Sequence, residues 1–383
     1  MNKFRMERLL LLLIGAVLIF QIFAGCVGNR TTPSQAWSGL SIEGDIGYVG
    51  TPKGQILALD LTRQGMVIAN FEVTDAGRTD AFPGFYSSPL VFNDTVYAGG
   101  FDGVVYALDA QTLTQEISFE IEGDRLAKSI VGELAISDDR LVFGAAETAE
   151  SGRLYVLDLD LRERCVFPSR GADPIGAIWG GPRISEGVAY FGDLDHNLYA
   201  VDIENCNPVW DAPIELDGAI VAKPLLINNY LYVGTFGQSF YSVDILSGSK
   251  AVILNADNWF WANPYSDGQK IYIPSLDGRL YAVDQQSKAL AWKYPTGDVV
   301  SPIVSTPVNE VGIVALGSDD GNLVLLDPET GQRLWDQRIG EKIRAPLVSN
   351  QGIVYVQSTD KKLHAYDLNT RRLSWIRDLE SGY

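Results

Sequence analysis

The chain is poor in the residues on which most enzymes depend. Its 383 residues hold three cysteines, two histidines and three methionines. No two cysteines are adjacent, His196 and His364 share no metal-ligand spacing, and no GxSxG, HExxH or phosphate-loop signature occurs. Asp-Gly turns are frequent, yet none carries the closely spaced carboxylates of a dedicated calcium loop. Positive charge is scarce as well, with 30 Lys and Arg against 48 Asp and Glu and a net charge of −18. Such a surface repels phosphate backbones, which argues against nucleic-acid binding. The sequence therefore predicts no catalytic residue, no metal and no cofactor.

Only one long apolar run is present. Lys3, Arg5 and Arg8 precede Leu9 to Phe23, a run too short to span a hydrocarbon core of about 30 Å but suited to a signal-peptide core. Phe23-Ala24-Gly25-Cys26 resembles the lipobox of bacterial lipoproteins, with Phe23 where Leu is usual. Residues 1–25 are read as the signal peptide, Cys26 as the lipidated residue, 26–35 as a flexible tether and 36–383 as the folded body. An uncleaved anchor and ordinary cleavage are the alternatives, and both keep the body outside the cytoplasm. Val27 is not the Asp that retains enteric lipoproteins in the inner membrane. The expected location is the cell envelope, on the outer face of the cytoplasmic membrane or on the outer membrane facing the periplasm. Losing Lys3, Arg5, Arg8 and Glu7 with the leader takes the charge to about −20, so attachment must come from the lipid.

What the body has is repetition. Apolar or alternating strands end at Asp60, Asp109, Asp158, Asp202, Asp244, Asp284, Asp327 and Asp367, a period of 40–49 residues. A period in that range, with several short strands per unit, marks a β-propeller. Asp-Gly pairs upstream of several of these predict type I′ hairpins between second and third strands. Pro89, Pro182, Pro224, Pro264, Pro307 and Pro346 recur about twenty residues before the Asp and mark the channel-lining edge strands. An aromatic residue follows most of the Asp residues: Phe71, Phe119, Phe167, Trp210, Trp292, Trp335 or Trp375. In "LLDPETGQRLW" Asp327 accepts turn amides, Thr330 adds a hydroxyl, Gly331 supplies positive φ, and Trp335 wedges between blades. Repetition makes these Asp residues structural rather than catalytic.

The pattern Ala-x-Asp-x-x-Thr/Asn-Gly with Trp four residues later resembles the tryptophan-docking motif of PQQ-like (quinoprotein-type) eight-bladed propellers. It also fits "AVDIENCNPVW", "AVDQQSKALAW" and "AYDLNTRRLSW". The resemblance implies an all-β fold of four-stranded antiparallel blades across residues 36–383. A strand swap between the termini, or seven blades plus an extension, would also fit the pattern. Quinone-dependent dehydrogenases of the superfamily carry vicinal cysteines and long insertions that this chain lacks, so a quinone- or metal-dependent enzyme is the least favoured reading. With its lipobox and compact length, the chain resembles the B-type lipoproteins of the outer-membrane β-barrel assembly machinery. That resemblance implies a non-catalytic, monomeric scaffold whose partners are a barrel-assembly subunit or client proteins.

Two features stand apart from the repeat. Tyr86, Trp179 and Trp261 lie three residues before a channel-strand Pro, with Phe82, Phe85, Trp259 and Phe260 close by. They are expected to converge on one channel mouth, either as a plug or as a rim that binds peptide or carbohydrate. Cys165 and Cys206 fall near equivalent turns of adjacent units, either bridged or as free thiols.

Overall fold

In the computed structural model, residues 37–73, 84–125, 127–298 and 301–380 are described. Cys26, the leader, the tether and Phe82 lie outside them. The body forms eight sheets whose strand order follows the chain, spanning 40–72, 90–120, 135–167, 183–215, 225–255, 265–294, 308–338 and 348–378. All pairings are antiparallel, and these are the eight blades of a propeller. Blade 3 adds a short strand, Ile175–Gly176, to the mouth end of its third strand.

The second and third strands of each blade are buried on both faces, which explains their near-continuous apolar runs, such as "VYAGG" and "LYAVD". Eight hydrophobic clusters result, each built from two neighbouring blades. Among the described residues the termini exchange no strand. Blade 8 closes on blade 1 through Tyr355 and Leu363 against Leu57 and Leu59, and Arg377 donates to the Gln64 carbonyl at 3.0 Å.

Two turn assignments differ from the sequence reading. The Asp-Gly loops between second and third strands are not type I′ turns: Gly103 N–H bonds the Gly100 carbonyl and Gly100 N–H bonds the Val104 carbonyl, with positive φ at Gly103. That is a three-residue hairpin with a left-handed Gly. Consecutive positive φ values occur instead between first and second strands, at Asn93-Asp94, Glu186-Gly187, Val311-Gly312 and Gln351-Gly352. The recurrent prolines stand just before the inner strands, such as Leu90–Phe92 after Pro89, where a missing N–H costs no ladder bond.

The docking motif works across blades. Asp327 Oδ1 accepts from Glu329 N–H, Thr330 N–H and Thr330 Oγ1 at 3.0, 2.7 and 2.8 Å. This turn presents Gly331, at φ 68°, to Trp292 of the preceding blade; a Cβ there would lie 2.6 Å from the indole. Trp292 Nε1 donates to the Pro328 carbonyl at 2.9 Å. Trp210 likewise reaches the Ile245 carbonyl, Trp375 covers Gly65 of blade 1, and Trp335 packs on Tyr366 of blade 8. Burying a side chain of this size contributes about 2–3 kcal/mol.

Phe71, Phe119 and Phe167 do not hold the tryptophan register. Trp292, Trp335 and Trp375 pair with the residue two before the motif Asp, whereas Ala69, Ile117 and Cys165 hold that place in blades 1–3. The phenylalanines lie one same-face step further along and pack on Tyr106, Tyr155 and Tyr199 of the next blade. Cys165, at the tryptophan register, is joined to Cys206, which holds the Gly position of the next blade's turn. A covalent bridge occupies the place of an indole on a glycine.

Candidate binding site at the channel mouth

Each chain segment entering a blade crosses to the channel in an extended conformation, so successive side chains point in opposite directions. The first is a buried peg: Phe85, Ile130, Ile178, Ile220, Phe260, Ile303 or Ile343, each no more than 2% exposed. Most pegs press on a glycine ending a second strand of the preceding blade; a Cβ on Gly234 would lie 2.4 Å from that of Phe260. The next residue faces the channel mouth. Trp37, Tyr86, Trp179 and Trp261 are the aromatic members of this ring, Val131, Val221 and Val304 the aliphatic ones, and Arg344 the eighth.

Phe85 and Phe260 are therefore not rim residues. They are pegs in the blade 1–2 and blade 5–6 interfaces, because the alternation that sends Tyr86 and Trp261 to the mouth sends their neighbours into the core. Tyr86 lines the mouth but is only 7% exposed, with its ring against Trp37 at 5.4 Å and Phe101 at 4.9 Å. Trp179, Trp259 and Trp261 remain half-buried. Phe236 stacks between Trp259 (4.5 Å, 12°) and Trp261 (5.6 Å, 22°), and Trp261 meets Trp179 at 6.4 Å. Val221, on the blade between them, is small enough to leave the two indoles in contact.

Backbone hydrogen bonds fix this face. The peg amides of Ile130, Ile220, Phe260, Ile303 and Ile343 donate to the hairpin turn of the preceding blade, as in Phe260 N–H to the Thr235 carbonyl at 3.3 Å. Turn-tip amides of Phe101, Leu194, Phe236, Leu276, Asp319 and Thr359 bond the crossing segment on their other side. Loops and turns thus form a belt that holds the aromatic side chains in place without a ligand.

Two residues deeper, on the same side of the chain, lies a polar floor. Glu133 of the segment entering blade 3 accepts from Lys223 Nζ at 3.0 Å and from Asn263 Nδ2 at 3.2 Å, while Asn263 Oδ1 accepts the Lys223 N–H at 2.8 Å. Glu133 reaches blade 5 by passing over Gly181, where a Cβ would stand 2.9 Å from its own. Across the mouth Arg344 holds Asp319 with two hydrogen bonds, at 2.9 and 2.6 Å, and lies 5.3 Å over the Trp37 ring. A cavity of about 100 Å³, open to solvent, stands above this floor. The ring narrows the mouth without filling it.

Sequence reasoning missed Trp37, Phe236, Arg344 and the Glu133 bridge. Trp37 lacks the Pro that located its equivalents, and Pro346 sits one position early, which displaced Arg344. Phe236 follows "YVGT" as Phe101 follows "YAGG", so the turn-tip position was a usable signal. His364 is buried and packed within blade 8, and burial lowers its pKa. His196 is exposed at a turn with φ 73°. Among the described residues no group of three His, Cys, Asp or Glu could hold a metal ion.

An eight-bladed ring with docking turns on one side and an aromatic mouth on the other defines the class: a PQQ-like β-propeller. The family model described as outer membrane protein assembly factor BamB matches residues 24–164, 173–294 and 295–382. The chain belongs to that family. It is 28% identical to the assembly factor BamB of Bordetella pertussis over 172 residues, 43% of each chain, and 22% identical to that of Yersinia pestis over 86% of this chain and 83% of the relative. The matched stretches span less than half of the first three curated relatives' lengths. The crystal structure of BamB from Moraxella catarrhalis superposes with a TM-score of 0.67 at 18% identity, covering 84% of this chain and 91% of that one. That likeness shows the fold.

Proposed function

We propose that the protein is a non-catalytic, lipid-anchored scaffold that binds protein partners during assembly of outer-membrane β-barrels. The observation that carries the reading is the family match, which runs through all eight blades. The relatives it matches are named as outer membrane protein assembly factors. Physical features agree with it: a belt-stabilised ring offers a rigid platform, and an acidic body needs the lipid on Cys26 to stay at a membrane. The partners are a barrel-assembly subunit or its clients, the working form is a monomeric propeller, and the place is the periplasmic side of the envelope.

Deletion in the native host tests this. The reading expects fewer folded, heat-modifiable β-barrels in the outer membrane, rescue by the intact gene, and weaker rescue by Cys26→Ser, which would appear in the soluble periplasm. Unchanged barrel content would overturn the assembly role. Turnover with a quinone or metal by protein purified from its host would overturn the non-catalytic one.

A further inference from the structure

We infer that the channel mouth is a receptor for a basic side chain, Lys or Arg, carried next to apolar residues on an extended segment of a partner polypeptide. The inference deepens the protein-binding reading above and rests on it. Trp179 and Trp261 present half-buried rings to an open-mouthed cavity of about 100 Å³, and indole faces attract cations. The molecule already makes this pairing once in the same ring, where Arg344 lies over Trp37.

Beneath the indoles, Glu133 spends one carboxylate oxygen on Lys223 and the other on Asn263, and each oxygen keeps a further acceptor position. Ser87 Oγ, buried behind the cavity wall in a residue 6% exposed, has no hydrogen-bond partner among the described residues. The charge around the mouth selects the occupant: Glu150, Asp173, Asp195, Asp298 and Glu341 are exposed on the loops and turns of this face. Among the exposed cations of this face, Lys53, Lys342 and Arg170 are engaged with Glu380, Asp319 and Glu163, and Arg125 has a partner as well. An apolar bowl with an acidic rim favours a segment that brings both a cation and apolar area.

The test is equilibrium binding of a fluorescein-labelled octapeptide of alternating lysine and phenylalanine to detergent-solubilised full-length protein. Glutamate–phenylalanine and norleucine–phenylalanine versions serve as comparisons. The lysine peptide should bind most tightly, and Trp179→Ala or Trp261→Ala should each weaken it about tenfold with thermal unfolding little changed. Glu133→Gln should weaken the lysine peptide and leave the norleucine peptide alone. Lys223→Met, which frees Glu133, should strengthen the lysine peptide.

Equal binding of the acidic peptide, weakening by Lys223→Met, Trp261-dependent binding of an oligosaccharide in place of peptide, or no binding would each overturn the assignment. If the peptide fails to bind while deletion still depletes β-barrels, the mouth assignment falls and the scaffold reading stands. If it binds as stated while deletion leaves barrels unchanged, the scaffold reading falls instead.

Discussion

Two rings of equivalent positions circle this molecule, and they treat the repeat in opposite ways. In the docking ring, Asp60, Asp109, Asp202, Asp244, Asp284 and Asp327 each cap the same turn by accepting the amide three residues on. In the mouth ring, equivalent positions hold Trp, Tyr, Val and Arg. Uniformity marks residues whose task is the same in every blade, which is to hold the next one. Variety gives a symmetric scaffold a face with direction, as a binding site requires. The disulfide belongs to the first ring despite its chemistry, because it occupies the docking register.

That division predicts a graded set of effects. The largest on stability should follow loss of the bridge: Cys165→Ser with Cys206→Ser opens a loop with a sequence separation of 41 residues. Urea unfolding should show a loss of about 4 kcal/mol, from the entropy that such a loop returns to the unfolded chain. Next is Trp292→Ala, which empties the space over Gly331 and should cost about 3 kcal/mol by the same measurement. Trp335→Ala, which is more exposed, should cost less.

Asp327→Ala removes hydrogen bonds at an exposed turn and should cost about 1 kcal/mol. The docking carboxylates also predict a pH dependence. Hydrogen bonds from Thr62 and Arg63 hold the Asp60 pKa at about 2, and those from Thr330 and Glu329 lower that of Asp327. Because the folded values lie below the unfolded one, their contribution is complete above about pH 4 and is lost as pH falls towards the lowered values. Acid titration of stability should be shallower in Asp327→Asn than in the native chain. Smallest of all on stability should be Trp179→Ala, under about 1 kcal/mol, although it should weaken peptide binding about tenfold. A Trp179→Ala loss as large as that of Trp292→Ala would erase the distinction between the rings.

Much of the docking ring was legible because repetition is a signal that one sequence carries by itself. Eight Asp residues at a steady period gave the blade number, and Asp-x-x-Thr-Gly gave the turn. The mouth was only partly legible, because alternation settles which neighbour points inward only once a strand's register is known. Phe85 and Tyr86 look alike as a pair, yet one is a peg and the other lines the cavity. Phe167 attracted attention as the aromatic of blade 3 while Cys165 held the register, since the turn there is one residue shorter: Asp158 N–H bonds the Arg162 carbonyl where Asp327 N–H bonds that of Gln332. The bridge from Glu133 to Lys223 and Asn263 spans 90 and 130 residues, and nothing local announces it.

The central claim is that this protein works by holding polypeptides at its aromatic mouth. The most direct measurement places a photoreactive side chain at Thr306, a partly exposed residue on the cavity wall, and another at Leu246, 77% exposed on a docking turn. Irradiation in the native host is followed by mass spectrometry of the adducts. The account predicts polypeptide adducts from position 306, from a barrel-assembly subunit or nascent β-barrel proteins, and few or none from 246. Adducts from 246 alone, or glycan adducts from 306, would contradict it.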